Sequence, residues 1–201
     1  MNKPRLLDLF CGAGGAAVGY ALAGFEVTGV DIRAQPRYPF QFVLADAMTF
    51  PLDGYDVIHA SPPCQNYSTL KQFPSNQGRE YPDLLPHVRR ILQQSGKVWI
   101  IENVIGAPIE SGVILCGTMF GLKTLRHRHF ESSVLLFQPH HRKHAGTVMN
   151  GDYISVRQHF GALQKGRDAL GVQWMKTDFE IAQAIPPAYT EWVGQQIKAV
   201  L

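Results

Sequence analysis

The sequence predicts an α/β protein built on a doubly wound, mostly parallel sheet, and three observations predict it. Short apolar runs alternate with segments of helical period through the first half of the chain. Those runs are apolar along their whole length, as strands covered on both faces must be. A glycine-rich turn joins the first run to the first helical segment, the position at which such folds approach a ligand.

Taken in order, "RLLDLF" reads as a buried strand and "CGAGG" as the turn behind it. The helix "AAVGYALAGF" follows, with Ala17, Ala21, Leu22 and Phe25 at helical spacing and Gly24 placed to end it. "EVTGVDI" is the second strand, ending on Asp31, which completes a right-handed parallel crossover. Further strands are expected at "FVLAD", "DVIHA" and "KVWII". A helix within "PDLLPHVRRILQQSG" gathers Leu84, Leu85, Val88, Ile91 and Leu92 on one face, with Pro86 confined to its first turn. In the later half "GVILC", "SSVLLF" and "YISVR" read as short strands between polar loops, and "AYTEWVGQQIKAVL" as a closing amphipathic helix. No repeat, low-complexity tract or linker interrupts the 201 residues, so one domain over 1–201 is expected.

Composition narrows the function classes. At 45% hydrophobic the chain can bury a substantial core. No segment approaches the roughly 18 continuous apolar residues of a membrane span, and the N-terminal apolar stretch is too short for a signal peptide. A soluble, cytoplasmic protein with no membrane partner is expected. Cys11, Cys64 and Cys116 are odd in number and far apart, which suggests neither a disulfide framework nor a zinc site and fits a reducing compartment.

The net charge of +3 is uninformative, but its distribution is not. Residues 123–144 carry Lys123, Arg126, Arg128, Arg142 and Lys143 against one acid, Glu131, a stripe suited to phosphate. The histidines of "PHHRKH" have no carboxylate or cysteine beside them at ligand spacing. No metal is expected there, and the loop is read as solvated or phosphate-contacting. Cys11 and Cys116 are read as small buried hydrophobes.

Strand ends carry the candidate chemistry. Phe10, Gly12, Gly14 and Gly15 lie where the first strand meets its helix, and Asp31 and Asp46 follow the next two strands as acceptors for ribose hydroxyls and an adenine amine. This much suits a nicotinamide, a flavin or S-adenosylmethionine alike. Cys64 follows the fourth strand behind Pro62 and Pro63, which stiffen its loop. Glu102 ends the fifth strand, and a carboxylate leaving a buried strand needs a partner or a task.

In this order, "DLFCGAGG", "SPPCQNYS" and "IENV" resemble the cofactor, nucleophile and catalytic-acid motifs of the cytosine C5 DNA methyltransferases. "TLRHRHF" is similar to that family's paired arginines and "QAIPPAY" to its C-terminal cofactor-side motif, so the resemblance runs from Asp8 to Tyr189. It implies a Rossmann-like class I methyltransferase fold, S-adenosylmethionine as cofactor and cytosine-containing DNA as partner. It implies Cys64 as nucleophile and Glu102 as acid, with Arg126 and Arg128 steadying the base or the thiolate. On the cofactor side it implies Phe10, Gly12, Ala13, Gly14 and Gly15 from the turn, and Asp31, Ile32, Asp46 and Ala47 from the strand ends. Pro63 and Ala184 complete that set.

The sequence also departs from the family. A large target-recognition region normally separates the paired arginines from the C-terminal motif, whereas here only residues 130–182 intervene. Four expectations stay open: loose sequence context, recognition supplied by a partner protein or a second copy, an acceptor such as RNA or a free cytosine nucleotide, or a catalytically inactive nucleic-acid-binding homologue. Gln183 and Ala182 stand where the family carries asparagine and glycine, and Thr124 where it carries glutamine.

Overall fold

The computed structural model describes residues 2–67, 81–156 and 163–201. β1 (Arg5–Leu9) leads through the glycine turn into α1 (Gly15–Leu22), and β2 (Glu26–Asp31) returns parallel to β1 with Thr28 beside Leu7. β3 (Gln41–Leu44), β4 (Val57–Ala60) and β5 (Val98–Asn103) extend the parallel set, and α2 (Leu85–Gln94) connects the last two. β6 (Val113–Leu115) and β7 (Arg128–Ser132) are antiparallel to each other, and β7 is antiparallel to β5. α3 (Leu163–Leu170), α4 (Asp178–Gln183) and α5 (Pro187–Lys198) follow. The seven strands lie in the order β3-β2-β1-β4-β5-β7-β6, a doubly wound, Rossmann-like sheet.

Tyr20 of α1 and Tyr189 and Val193 of α5 cover Leu6, Ile100 and Phe130 on one face. Val88 and Leu92 of α2 cover Leu7, Ile58 and Ile101 on the other. The alternation of Ile100 and Ile101 between the two clusters is the strand period of two acting on a run with no polar side. Among the described residues no helix is long and apolar enough to cross a membrane.

The later half departs from the sequence expectation. The strand read at "SSVLLF" lies earlier, at Arg128–Ser132, and Leu135 and Phe137 are exposed. Charge hid it, because Glu131 sits on a buried strand position paired with Arg89 of α2, whose Nε and Nη2 donate to its two oxygens at 2.8 and 2.7 Å. "YISVR" is no strand over its described residues 153–156, where the Ile154 amide donates to the Lys123 carbonyl, and Arg157 lies outside the described residues. α1 also stops short of Phe25, and Leu22 on the expected apolar set is exposed.

Candidate active site

The strand order reverses between β1 and β4, and the crevice outside the carboxyl ends of these strands is where open α/β sheets bind ligands. The glycine turn leaves β1 at that edge and the segment 61–67 leaves β4 there, tied back where the Ser61 amide donates to the Leu9 carbonyl at 3.2 Å. Ser68, last of the nucleophile motif, lies outside the described residues.

Cys64 is half-buried beyond Pro62 and Pro63. Its loop is pinned from β5, since the Asn103 side-chain amide donates to the Pro62 carbonyl at 2.9 Å. Burial pushes the Cys64 thiol up, the nearby Glu102 charge adds to this, and Arg128 and Arg126 pull it down. The sulfur therefore shares one electrostatic field with all three other expected catalytic groups.

Glu102 is buried at the end of β5, paired across the ladder with Phe130 of β7. Arg128, leaving the sheet on the same strand, places Nε 2.9 Å from Glu102 Oε1, yet that oxygen accepts no aligned hydrogen bond. Burial raises the Glu102 carboxyl above its ordinary range, while Arg128, Arg126 and a hydrogen bond from Ser61 oppose the rise. Arg126 is half-buried, with no ion-paired carboxylate of its own among the described residues. Its Nη2 donates to the Ala182 carbonyl at 2.6 Å, its buried Nε has no partner among the described residues, and desolvation pushes it down to about 9. A guanidinium with a buried, unsatisfied donor can receive an acceptor.

A chain of hydrogen bonds that motif reading did not find ends on Glu102. Tyr20 Oη lies 2.9 Å from His59 Nδ1, and His59 Nε2 lies 2.8 Å from Ser61 Oγ. A Ser61 hydroxyl turned toward Glu102, as its lowering effect on that carboxyl requires, accepts from His59, which matches the Nε2–H tautomer with Tyr20 donating to Nδ1. Full burial pushes His59 down to about 3, so the ring stays neutral and the direction of the chain holds. The signal in the sequence was His59 and Tyr20 on otherwise apolar elements, which is visible but gives no hint of the pairing. Ser61→Ala is expected to move the Glu102 midpoint up, because a hydrogen bond that favours the carboxylate is lost. Titration of the Glu102 carboxyl by NMR reads this shift, and an unmoved midpoint would detach Ser61 from Glu102.

On the cofactor side, Asp31 ends β2 and accepts from the Gly12 amide at 3.0 Å and the Arg33 amide at 2.9 Å. Phe10 and Gly12 have φ of 58° and 49°, and a Cβ on Gly12 would meet nothing within 4 Å, so the turn leaves its outer side open. Ile32 is 69% exposed beside Asp31. Asp46 lies two residues beyond β3 rather than at its end, with Oδ1 accepting from the Met48 amide.

An open backbone, an exposed apolar side chain, a carboxylate at the end of β2 and another just beyond β3 fit the ribose and adenine of S-adenosylmethionine. Ala13, Ala47 and Ala184 are buried, and the Ala13 carbonyl accepts from the Trp174 indole. A Cβ on Gly15 would lie 2.4 Å from the Ile185 carbonyl oxygen, so this glycine lets the C-terminal segment close on α1, while Gly14 is the left-handed N-cap of that helix. Below the turn, buried Asp8 is pushed up to about 8 by burial, with Oδ2 accepting from Tyr38 and Oδ1 unpartnered. Burial thus favours its neutral form, and the sequence reading had no reason to single it out. A cleft of about 610 Å³ lined by Asn2, Lys3, Phe25 and Gln41 contains none of these groups.

Comparison with known proteins bears on this arrangement. Residues 4–108 match the model of the C-5 cytosine-specific DNA methylase family. The chain is 27% identical over 127 residues to the type II methyltransferase M.AgeI of Thalassovita gelatinovora, covering 54% of this chain and 29% of that protein. It is 30% identical over 134 residues to the type II methyltransferase M.AplI of Arthrospira platensis, covering 61% and 38%. The chain thus spans well under half the length of these curated relatives. Among solved structures, the Dnmt2 methyltransferase of S. pombe aligns with a TM-score of 0.49 at 20% identity, over 68% of this chain and 51% of that one.

Proposed function

The chain belongs to the C-5 cytosine-specific DNA methylase family, and from that membership we propose that it transfers a methyl group from S-adenosylmethionine to C5 of cytosine in DNA. The observation that carries this reading is the single electrostatic field joining a thiol, a buried carboxyl and two guanidiniums at the switch-point edge of the sheet. A dinucleotide oxidoreductase has no use for that set.

Cytosine C5 is a weak nucleophile, and addition of a thiolate to C6 activates it. Cys64 Sγ forms the bond to C6, and the C5=C6 pair moves into the ring toward N3. Glu102, holding the pairing edge of the base, gives or shares its proton there. Arg128 holds Glu102 and favours the thiolate. The unsatisfied Nε of Arg126 receives the base oxygen or a flanking phosphate. When bound, S-adenosylmethionine supplies an electrophilic methyl group for C5, and Phe10, Gly12, Asp31, Ile32 and Asp46 would hold its adenosyl part, with Gly14, Ala47, Pro63 and Ala184 bounding the site. The C5 proton then leaves to a base, the C5=C6 bond reforms and Cys64 departs as thiolate. A stacked base is out of reach of Sγ, so the cytosine is swung out of the duplex at a cost of roughly a few kcal/mol.

Residues 1–201 act as one catalytic domain in this reading, with 130–182 in place of a target-recognition lobe. Within the described part of that span, α3 and α4 pack on Ala13 of the glycine turn, which commits them to the catalytic core. That observation favours base readout by a partner protein or a second copy. Three unpaired cysteines support a reducing, cytoplasmic setting.

DNA carrying 5-fluorocytosine tests the mechanism, because fluorine at C5 blocks the final elimination. With S-adenosylmethionine present, a covalent adduct is expected on a denaturing gel and by mass spectrometry, and Cys64→Ser is expected to abolish it. An adduct that persists in Cys64→Ser, or none on any cytosine-containing DNA while the cofactor binds, would overturn the reading.

A further inference from the structure

Away from the site just described, the fold gathers four groups with metal-ligand chemistry. The ligand atoms of Cys116, His127, His141 and His144 all lie within 4.8 Å of one another. The sequence shows no cysteine near the histidine-rich loop, but the sheet supplies one. Leu115 of β6 pairs with Arg128 of β7, so their neighbours Cys116 and His127 leave the ladder together. His141 and His144, spaced as HxxH, fold over them from the loop that follows, with Cys116 Sγ 3.4 Å from His144 Nε2 and the two Nε2 atoms 2.9 Å apart.

We propose that Cys116, His127, His141 and His144 bind a divalent transition cation, zinc in the first instance, in a tetrahedral structural site. Metal bonds of about 2.0–2.1 Å to nitrogen and 2.3 Å to sulfur place tetrahedral ligands roughly 3.3–3.6 Å apart, between the shortest contacts here and the outer limit of the cluster. One thiolate and three imidazoles, with no carboxylate, select zinc and its neighbours over magnesium or calcium. On binding, the Cys116 thiol loses its proton to solvent and the sulfur–metal bond forms, leaving a site of net charge +1.

The surroundings match a ligand set held by its own partners. Thr118 Oγ1 lies 3.2 Å from Cys116 Sγ and can donate to the thiolate. The three rings pack with centroids 4.8, 5.3 and 5.5 Å apart, a crowding of imidazoles that one cation relieves and solvent exposure does not require. His127 lies between Arg126 and Arg128, so a bound ion staples the loop directly to the segment that carries both arginines. The inference stands on this cluster and holds whether or not the proposed transfer reaction does.

The test is metal content and cobalt spectroscopy on the 201-residue chain. Close to one zinc per chain is expected after purification from zinc-supplemented medium. Chelator-stripped protein titrated with Co²⁺ alone is expected to show the intense d–d bands of a tetrahedral site together with a thiolate-to-cobalt charge-transfer band. Cys116→Ser should remove the charge-transfer band. In case that buried change unfolds the chain, His141→Gln and His144→Gln are read in parallel, each expected to weaken cobalt binding by roughly a hundredfold or more. Background metal content and no cobalt spectrum in a wild-type chain with native circular dichroism would overturn the proposal, as would binding unchanged in both loop variants.

Discussion

Glu102→Gln is expected to lower methyl transfer by roughly 10²–10⁴-fold, the range of a positioned acid or base, while making Cys64 react faster with iodoacetamide. The two effects have opposite signs because Glu102 acts on two partners. In the proposed mechanism the substitution removes the proton donor to the base, which slows transfer. At the thiol, burial and the Glu102 charge both raise the pKa while Arg128 and Arg126 lower it. Removing the carboxylate leaves burial opposed by two cations, one of which has lost its ion-pair partner. The thiol then ionises at lower pH, and alkylation below its pKa gains roughly tenfold for each unit of downward shift.

Measured against pH, the alkylation midpoint of Glu102→Gln should lie below that of the wild type. Cys11 and Cys116 are buried and should contribute little to the signal. An unmoved midpoint would mean that Glu102 and Cys64 share no field, and wild-type transfer in the variant would remove Glu102 from the reaction.

Glu131→Ala is expected to cost stability toward the lower end of about 3–5 kcal/mol, the usual penalty for breaking a buried pair, because the exposed Glu110 carboxylate stays 3.3 Å from Arg89 Nη1. Arg89 and Glu131 side chains are 9% and 3% exposed and meet through two parallel hydrogen bonds, and Arg89 also donates to the Pro108 carbonyl at 2.8 Å. The pair bolts α2 to β7, the strand that carries Arg128. At roughly 2–4 °C per kcal/mol for a chain of this size, the melting temperature should fall by roughly 6–20 °C. Replacing both partners, as in Arg89→Met with Glu131→Leu, should recover part of that loss, because no buried charge is left alone, although the Pro108 carbonyl and the Glu110 amide lose their partners. A single variant that melts like the wild type would show that the pair holds nothing together.

The two halves of the chain were unequally legible. β1, β2, β4 and β5 were read close to their true positions because their runs are covered on both faces and stay mainly apolar around single buried polar residues, and α1 because the glycine turn marks its start. β7 was missed because His129 and Glu131 break the apolar pattern of a buried strand, and Glu131 is tolerated only through a guanidinium on another element. In the candidate site, Cys64 and Glu102 were singled out by proline and by strand ends, and Arg126 and Arg128 by resemblance to the family's motif order. Asp8, His59 and Ser61 were not, because nothing in their neighbours along the chain marks a buried hydrogen-bond partner.

By itself, the sequence determined the parallel core, the glycine turn over its edge and the order in which thiol, carboxyl and arginines reach that edge. These follow from periodicity and from the constraints of glycine and proline, which act within a few residues. Tertiary structure alone decided the partnerships: Arg89 with Glu131 across 42 positions, Tyr20 with His59 across 39, and Cys116 with His144 across 28. Which polar groups are buried, and so must be paired, is set by how the sheet is covered, and no local pattern carries that information.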